Sequence, residues 1–274
     1  MALIGMVNYI NTAPIYEIWK ETPYPESWQI VEGQPSELNA LLEAGQIDMG
    51  FVSSYEYAAR PENYQILADL SISATGPVGS VYLFSLVPPG QLAGKKIVMT
   101  GQSGTSVRLA KIVLEEFYEV HPIYTTGNAI TVTNSEDDIS AVLAIGDDAL
   151  RLRFENRYPV QLDLSDEWFR KTGLPFVFSV CAIRQEYLDR EPEEARAIRE
   201  TFVDCRIRGV EKMAEICDRV ARRIPMDCEM CSSYLNGIQH DLSVTKRQGL
   251  ELFFTYLMKR NEASPAALPL KIFR

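Results

Sequence analysis

The chain has 274 residues, of which 46% are hydrophobic and 23% charged, a balance typical of a soluble globular protein. Its net charge of -10 argues against a nucleic-acid-binding surface, which would be basic. The first residues, MALIGMVNYINT, do not resemble a signal peptide, and no apolar run is long enough to predict a transmembrane helix. Because the five cysteines are scattered and odd in number, they fit a reducing compartment, and we expect a cytoplasmic protein.

The first part of the chain predicts strands and helices in alternation. Ala2–Val7 is an apolar run that predicts a first strand. A helix is predicted over 36–45, with Ser36 as its N-cap and Gly45 at its end. Residues 47–52 are apolar enough for a buried strand, and a further helix begins after them. This β-α-β-α order is typical of a parallel sheet covered by helices.

A second group of elements begins beyond a strand predicted at 81–87, which we interpret as a crossover out of the first lobe. Residues 95–100 predict the first strand of the second lobe, followed by a helix that starts near Thr105. The segment ITVTN, residues 130–134, predicts another strand. Residues 139–146 fit a helix or a strand. We favour a strand, because the sequence GDDAL, which begins at Gly146, is typical of a strand end followed by a helix start.

The apolar run 175–183 mirrors the first crossover, and the pattern is helical from Pro192 onward. These observations predict an α/β fold of two lobes joined by two crossovers that act as hinges. The first lobe would contain 1–86 and 184–274, with the C-terminal helices packed on it, and the second would contain 87–183. A ligand is expected in the cleft between the lobes, at the carboxyl ends of the strands, with the lobes closing around it.

Small polar residues follow four of the predicted strands, on the side where the cleft is expected. Most have a structural alternative, since Asn8 and Asn11 suit a turn and Asp147 suits a helix N-cap. Four such strand ends together favour a binding site. The residues expected there are Asn8, Asn11, Ser53, Ser54, Gly146 and Asp147, with Ser103, Gly104, Thr105 and Ser106 in the remaining loop.

The loop GQSGTSV is the strongest local signal for a bound anion. Gly104 allows the backbone to approach a ligand closely, and Ser103, Thr105 and Ser106 add hydroxyls at a helix N-terminus. Free N–H groups and the helix dipole favour negative charge at such a position. The loop lacks the lysine of a nucleotide-binding P-loop, so a carboxylate is the expected ligand. Ordinary capping of the helix by Ser103 or Thr105 is the structural alternative.

Gly79 and Ser80 are expected at the hinge edge of the cleft, with a simple tight turn as the alternative. The sequence contains no convincing nucleophile system, because neither of its two histidines lies near a predicted strand end. Cys228 and Cys231 form a lone CxxC without the further ligands that a zinc site requires. We therefore expect no metal and no cofactor.

Five motifs in combination resemble one enzyme family. They are VNYINTAP, ISATGPVGSVYLFS, LAGKKIVMTGQSGTSVRL, AIGDDAL and SDEWFRKTGLPFVFSV, all within residues 3–184. They resemble the chorismate dehydratases of the futalosine route to menaquinone, cytoplasmic enzymes with a fold like that of type II periplasmic binding proteins. The resemblance implies loss of water from chorismate to give 3-[(1-carboxyvinyl)oxy]benzoate.

The first loop separates this family from its sister enzyme, the dihydroxynaphthoate synthase. That enzyme opens the loop with a cysteine- and proline-rich motif similar to SPCPNDTF, whereas this sequence has NYINTAP. The resemblance places the family's loop asparagine at Asn11 and its hinge serine at Ser80, and it implies that these two are catalytic. The stretch before AIGDDAL is shorter than the family pattern, so the second lobe is expected to be trimmed.

Chorismate carries two carboxylates, and the helix start at Thr105 is suited to hold one of them. No obvious base is present, so we hypothesise that the enolpyruvyl carboxylate of the substrate takes the proton while Asn11 and Ser80 orient it. A non-catalytic cytoplasmic protein that binds small carboxylates is the alternative from another class, because fold does not determine function. The expected partner is a small dicarboxylate, with no nucleic acid and no membrane, and the protein is expected to be a monomer or a homodimer.

Overall fold

The computed structural model describes residues 1–132, 138–223 and 226–274. Within these ranges the strands are β1 Ala2–Val7, β2 Trp28–Gly33, β3 Met49–Ser53, β4 Tyr64–Ala74, β5 Val81–Ser85, β6 Lys96–Thr100, β7 Ile123–Gly127, β8 Ile139–Ile145, β9 Val160–Asp163, β10 Phe176–Arg184 and β11 Ile272–Phe273. The helices are α1 Ala13–Glu21, α2 Pro35–Glu43, α3 Ser54–Ala59, α4 Gly104–Ile112, α5 Ala129–Val132, α6 Gly146–Glu155, α7 Leu164–Thr172, α8 Gln185–Arg190, α9 Pro192–Glu211, α10 Met213–Val220, α11 Cys228–Gly237 and α12 Val244–Lys259. No helix in these ranges combines the length and the apolarity that crossing a membrane requires.

The strands form two sheets of similar design. The first sheet has the order β11-β4-β10-β3-β1-β2, and β1 is parallel to both β2 and β3. The second sheet has the order β7-β6-β8-β5-β9, and β6 is parallel to both β7 and β8. Each sheet also contains one strand that is antiparallel to its two neighbours, β10 in the first and β5 in the second. The predicted two-lobed α/β fold is therefore confirmed.

Strand pairing differs from the predicted lobe boundaries at two places. The boundary predicted after residue 86 places β5 in the first lobe, but β5 pairs with β8 and β9 of the second sheet. The boundary predicted after residue 183 places 175–183 in the second lobe, but β10 pairs with β3 and β4 of the first sheet. Both runs are apolar because they lie inside a sheet, and not because they cross between lobes. The chain changes sheet between β4 and β5 and again between β9 and β10, and each sheet defines one lobe below.

Other elements agree with the sequence or correct it. The ambiguous segment before GDDAL is strand β8, as predicted. The described part of ITVTN is helical, in α5, and the rest of that segment lies outside the described residues. The neighbouring strand β7 was missed because its sequence, IYTTG, is half polar and lies at a sheet edge. Helix α2 begins at Pro35, and its N-cap is Gln34, two residues before the predicted cap Ser36.

Helix α9 packs closely against the start of α1 and so supports the turn that precedes it. A Cβ atom at Gly209 of α9 would lie 1.8 Å from the carbonyl oxygen of Pro14, so only glycine allows this approach. The ring of Trp19 stacks on Phe202 of α9 with centroids 4.4 Å apart. The C-terminal helix α9 therefore fixes the position of α1, and with it the turn that carries Asn11.

Candidate active site

A cavity lies between the two lobes at the carboxyl ends of the parallel strands. Together with the open solvent at its mouth, it contains about 610 Å³ of empty space. Half of the predicted site residues line it: Asn11, Ser53, Ser80, Ser103, Ser106 and Gly146. Strand ends that the sequence indicated therefore meet at this cavity.

The cavity wall carries no positively charged side chain among the described residues. Instead, three helices of nine or ten residues begin at the wall. Their N-cap residues are Thr12 for α1, Ser103 for α4 and Ile145 for α6, and all three line the cavity. At the start of α1 the Ala13 N–H is bonded to Ile10 O and Pro14 has no N–H, and at the start of α6 the Gly146 N–H is bonded to Ser80 O. The start of α4 is therefore the part of the wall best suited to hold an anion through neutral donors.

Asn11 lies in a single turn of 3-10 helix, Ile10–Thr12, directly after β1. Its side-chain oxygen Oδ1 is buried and has no hydrogen-bond partner in the described residues. The turn itself is held firmly, because the Thr12 hydroxyl donates to the carbonyl oxygens of Val7, at 2.5 Å, and Tyr9, at 2.8 Å. A fixed backbone thus presents an amide whose buried oxygen is free to accept a hydrogen bond from a ligand.

His240 supports the Asn11 turn from the C-terminal segment. Its Nε2 lies 2.7 Å from the backbone oxygen of Asn11, an acceptor, so Nε2 carries the hydrogen. Burial lowers the pKa of His240 to about 4, and the ring is neutral at pH 7. Backbone pairing of the neighbouring Gln239 with Ser73 in β4 fixes the segment on the first sheet. The sequence analysis set His240 aside, because no local pattern signals a contact across 229 residues.

Ser80 is held on three sides at the start of β5. Its backbone oxygen accepts a hydrogen bond from Gly146 N at 2.8 Å, and its Oγ accepts one from the hydroxyl of Tyr234 at 2.8 Å. The preceding residue, Gly79, has φ +77 and donates its N–H to the Asp163 carboxylate at 2.7 Å. Asp163 also caps α7, and its burial raises its pKa. Gly79 thus provides the positive φ that the backbone adopts before Ser80, and it does not line the cavity.

The start of α4 uses its hydroxyls in two different ways. Ser103 is the N-cap and accepts a hydrogen bond from Ser106 N at 3.2 Å, and the two hydroxyls lie 3.1 Å apart. Both residues also line the cavity, so capping and ligand contact coexist here. Thr105 differs, because its hydroxyl accepts the Tyr55 N–H of the first lobe at 2.9 Å. Gly104 also lies against the Tyr55 ring. Thr105 and Gly104 were expected to line the cavity, and neither of them does.

Three further predicted residues lie outside the cavity wall. The Asn8 amide donates to Glu32 at 2.7 Å, beside β2. The Ser54 hydroxyl donates to the Val177 carbonyl at 2.8 Å and is buried between α3 and β10. The Asp147 carboxylate accepts the Ile10 N–H across the lobes, and burial raises its pKa. Each polar group has a structural partner, which the sequence could not distinguish from a free group.

Ser53 lines the cavity, but its hydroxyl is also engaged. The Oγ atom accepts hydrogen bonds from Asn39 Nδ2 at 2.9 Å and from Glu56 N at 3.2 Å, and it caps α3. Among the predicted residues, Asn11, Ser80 and Ser106 therefore differ from the rest, because each lines the cavity and keeps side-chain hydrogen-bonding capacity for a ligand.

The sequence analysis missed the aromatic and apolar part of the cavity wall. Phe51 of β3 and Phe178 of β10 contribute ring surface, and Tyr9 lines the opening with its hydroxyl 3.4 Å from Gln102 Oε1. Ser179 also lines the wall, although its hydroxyl donates to the Val52 carbonyl at 2.5 Å. Phe178 and Ser179 were missed because β10 was assigned to the crossover, and Tyr9 because only the polar residues of NYINT were considered.

Contacts between the lobes also occur beyond the cavity wall. Arg260, at the end of α12, pairs with Glu115 of the second lobe at 2.7 Å. Arg108 of α4 pairs with Glu262 at 3.1 Å. With the Thr105–Tyr55 hydrogen bond, these contacts hold the second lobe close to the first and bring both walls of the cavity together.

The CxxC pair lies on α11, away from the cavity wall. Cys228 is exposed, Cys231 is buried, and neither is in a disulfide. Across the part of the chain that the structure describes, no group of three or more His, Cys, Asp or Glu side chains is arranged to hold a metal ion.

Comparisons with known proteins place this site in a family. A family model for menaquinone biosynthesis matches residues 2–259. Chorismate dehydratase from Thermus thermophilus is 29% identical over 266 residues, 92% of this chain and 93% of that protein. A crystal structure of an Archaeoglobus fulgidus protein has a TM-score of 0.74 at 17% identity and covers 94% of this chain and 97% of its own. A Candida albicans protein described as having the periplasmic-binding-protein fold has a TM-score of 0.65 at 12% identity and covers 100% of this chain and 96% of its own.

These matches confirm the fold type and the family resemblance that the motifs indicated. The family match covers nearly the whole chain, including every strand except β11 and every residue assigned to the cavity wall. The chain belongs to the menaquinone biosynthesis family.

Proposed function

We propose that the protein is a chorismate dehydratase, which converts chorismate to 3-[(1-carboxyvinyl)oxy]benzoate and water. The family and the Thermus thermophilus relative support this reaction. The observation that carries it is the pairing of Asn11 and Ser80 at one cavity between the lobes. Asn11 has a buried side-chain oxygen without a partner, and Ser80 is held so that its hydroxyl faces the same space.

The cavity wall matches the chemistry of chorismate. The substrate has two carboxylates, a ring hydroxyl and an apolar ring face. The start of α4 and the hydroxyl of Ser106 would hold one carboxylate, and Phe51 and Phe178 would contact the ring. The absence of a cation in the described wall keeps the second carboxylate free of a strong ion pair, so that it remains basic.

The reaction removes a proton from the ring carbon that bears the enolpyruvyl ether and a hydroxyl from the neighbouring carbon. The C–H electron pair forms a ring double bond, the C–O bond breaks, and the proton and the hydroxide leave as water. Tyr9 is the only titratable side chain in the described wall, and burial raises its pKa to about 12, so it is no base at pH 7. The enolpyruvyl carboxylate of the substrate therefore takes the proton.

Asn11 and Ser80 have complementary roles in this mechanism. Asn11 orients the enolpyruvyl carboxylate through its amide hydrogens, and its Oδ1 accepts a hydrogen bond from the ring hydroxyl. Ser80 donates its hydroxyl hydrogen to the oxygen of the ring hydroxyl as that hydroxyl leaves the ring. Both groups act by holding reacting atoms of one molecule in line, an effect worth up to roughly 7–11 kcal/mol of barrier in favourable intramolecular reactions.

The test is to incubate the purified protein with chorismate and to follow the benzoate product by chromatography and mass spectrometry, against an enzyme-free control. We expect product from the wild-type protein and a large loss of rate in Asn11→Ala and Ser80→Ala. Chorismate that binds but is recovered unchanged would identify a non-catalytic carboxylate-binding protein. Product formation at wild-type rate in both variants would place the reaction elsewhere.

In this proposal the reaction belongs to the futalosine route, takes place in the cytoplasm and requires no cofactor. The protein would act as a monomer or a homodimer with its active site formed by one chain. Analytical ultracentrifugation at the concentration of the activity assay would determine the oligomeric state. Full activity of a dilute monomer would support a one-chain site, and activity that disappears on dilution would contradict it.

A further inference from the structure

Tyr234 contacts the proposed catalytic serine from outside the cavity wall. It lies on α11, 154 residues from Ser80 in sequence, and its hydroxyl donates to Ser80 Oγ at 2.8 Å. Among the described residues, neither hydroxyl has another hydrogen-bond partner. The two groups thus form an isolated pair that ends at the cavity.

The surroundings determine which hydroxyl donates. The structure has Tyr234 as the donor; if Ser80 donated instead, the phenol hydrogen would have no acceptor in the described residues. If Tyr234 donates, the remaining hydrogen belongs to Ser80, which lines the cavity and can reach a ligand. The second arrangement leaves no buried donor unsatisfied when substrate is bound.

Tyr234 is held in place by its helix and by Gly79. Cys231 and Leu235, its neighbours along α11, are fully buried, and Asp227 caps the helix by accepting Met230 N at 2.8 Å. A Cβ atom at Gly79 would lie 3.3 Å from the Tyr234 ring, so the ring packs directly on the backbone next to Ser80. Burial also raises the pKa of Tyr234 strongly, so the phenol keeps its hydrogen at pH 7.

We propose that Tyr234 is a positioning residue for the dehydration: by donating to Ser80 Oγ it turns the Ser80 hydroxyl hydrogen toward the departing hydroxyl of the substrate. A hydroxyl that already accepts a hydrogen bond is also a stronger donor, because hydrogen bonds in a chain polarise one another. This inference rests on the proposed function, since it assigns Tyr234 to the same reaction.

The test is the variant Tyr234→Phe, which removes one oxygen and keeps the ring. Losing a neutral hydrogen bond should lower kcat by about two- to ten-fold, which corresponds to about 0.5–1.5 kcal/mol. KM is expected to stay within about two-fold, because the substrate contacts themselves are unchanged. Tyr118→Phe is the matched control: its hydroxyl donates to Glu167 at 2.7 Å on the second lobe, and kcat should equal that of the wild type.

A double-variant cycle separates positioning from general packing. In the Ser80→Ala background the Tyr234 hydroxyl has nothing to orient, so adding Tyr234→Phe should cause no further loss of kcat. A second full loss in that background, or an unchanged kcat in Tyr234→Phe alone, would overturn the inference. A melting temperature close to that of the wild type would show that the variant is folded.

Failure of the proposed function has a different signature. If the wild-type protein does not convert chorismate, the reaction itself is wrong and the role of Tyr234 in it falls with it. If the wild type converts chorismate and Tyr234→Phe is equally fast, only the inference about Tyr234 is wrong.

Discussion

Two regions beside the cavity carry the same kinds of polar side chain, but they differ in how much hydrogen-bonding capacity is left for a ligand. At the Asn11–Ser80 corner, the backbone is held by other groups, and side-chain hydrogen-bonding capacity remains for a ligand. At the start of α4, the hydroxyls of Ser103 and Thr105 are already engaged in a helix cap and in a contact between lobes. A polar residue at a strand end is therefore a candidate for catalysis only when the structure leaves it a free donor or acceptor.

The contrast is sharpest between Asn8 and Asn11, which lie three residues apart after β1. The Asn8 amide donates to Glu32 at the edge of the first lobe, whereas the Asn11 oxygen is buried without a partner. Composition and spacing give the two asparagines the same interpretation, namely turn chemistry or ligand binding. Only the three-dimensional surroundings distinguish them.

The largest expected effect is the difference between Asn11→Ala and Asn8→Ala. Loss of the Asn11 amide removes a preoriented group at the reacting atoms, and comparable losses in other enzymes cost about 10²–10³ in kcat. Asn8→Ala removes a peripheral hydrogen bond to Glu32 and should leave kcat within about two-fold of the wild type. Steady-state kinetics with chorismate measures both. Equal effects of the two substitutions would remove the distinction between a free and an engaged amide.

The next effect concerns the residue that holds the Asn11 turn. His240 has a pKa of about 4 in the folded protein, mainly because it is buried, against 6.5 for the unfolded value. Between these pH values only the unfolded chain binds the proton. The contribution of His240 to the free energy of unfolding is therefore complete above pH 6.5 and falls, by up to roughly 3 kcal/mol, as the pH decreases toward 4.

The variant His240→Gln isolates this contribution, because glutamine can donate to Asn11 but does not titrate. Urea unfolding between pH 4.5 and 7 should give a flatter pH dependence for His240→Gln than for the wild type, and the difference removes the common effects of nearby Lys246, Arg206 and Asp241. The exposed His121 provides the control, and His121→Gln should follow the wild-type curve. If the pH dependence of unfolding were the same for all three proteins, His240 would not be buried in its neutral form next to Asn11.

Much of the architecture was readable from the sequence, and the reasons are local. The apolar run of β1, the alternation around β3 and the glycine–serine loop before α4 each depend on neighbouring residues, so their pattern predicts a strand end or a helix start. The convergence of these ends at one cavity then follows from parallel pairing. This is why half of the predicted site residues line the cavity wall.

The parts that could not be read depend on contacts that are remote in sequence. Tyr234 and His240 reach Ser80 and Asn11 across 154 and 229 residues, and no periodicity or spacing encodes such a contact. The sheet membership of β5 and β10 was also hidden, because a strand buried inside either sheet has the same apolar sequence. For the same reason, the engaged state of a hydroxyl such as that of Thr105 becomes visible only when its partner is in place.

A smaller effect is expected from Ser106→Ala. The Ser106 side chain is buried, lines the cavity and lies beside Ser103 at the N-terminus of α4. If it donates to a substrate carboxylate, its loss removes one charge-assisted hydrogen bond of about 1.5–3 kcal/mol, while the backbone N–H groups of the helix remain. We expect KM to rise by about ten- to a hundred-fold with little change in kcat. An unchanged KM would limit the role of Ser106 to the helix cap.

The smallest effect is expected from Thr105→Val, which removes the hydroxyl that accepts Tyr55 N–H from the other lobe. The substrate loses no contact, but the closed arrangement loses one hydrogen bond, worth about 0.5–1.5 kcal/mol. KM should rise by only a few-fold and kcat should be unchanged, because the closed complex reacts as before. Small-angle scattering should show a larger radius of gyration for the ligand-free variant than for the wild type, and the benzoate product should restore the compact form. If Thr105 instead held a substrate carboxylate, KM would rise by ten-fold or more while the ligand-free radius of gyration stayed at the wild-type value. The two measurements together therefore decide whether the hydroxyl of Thr105 acts on the lobes or on the ligand.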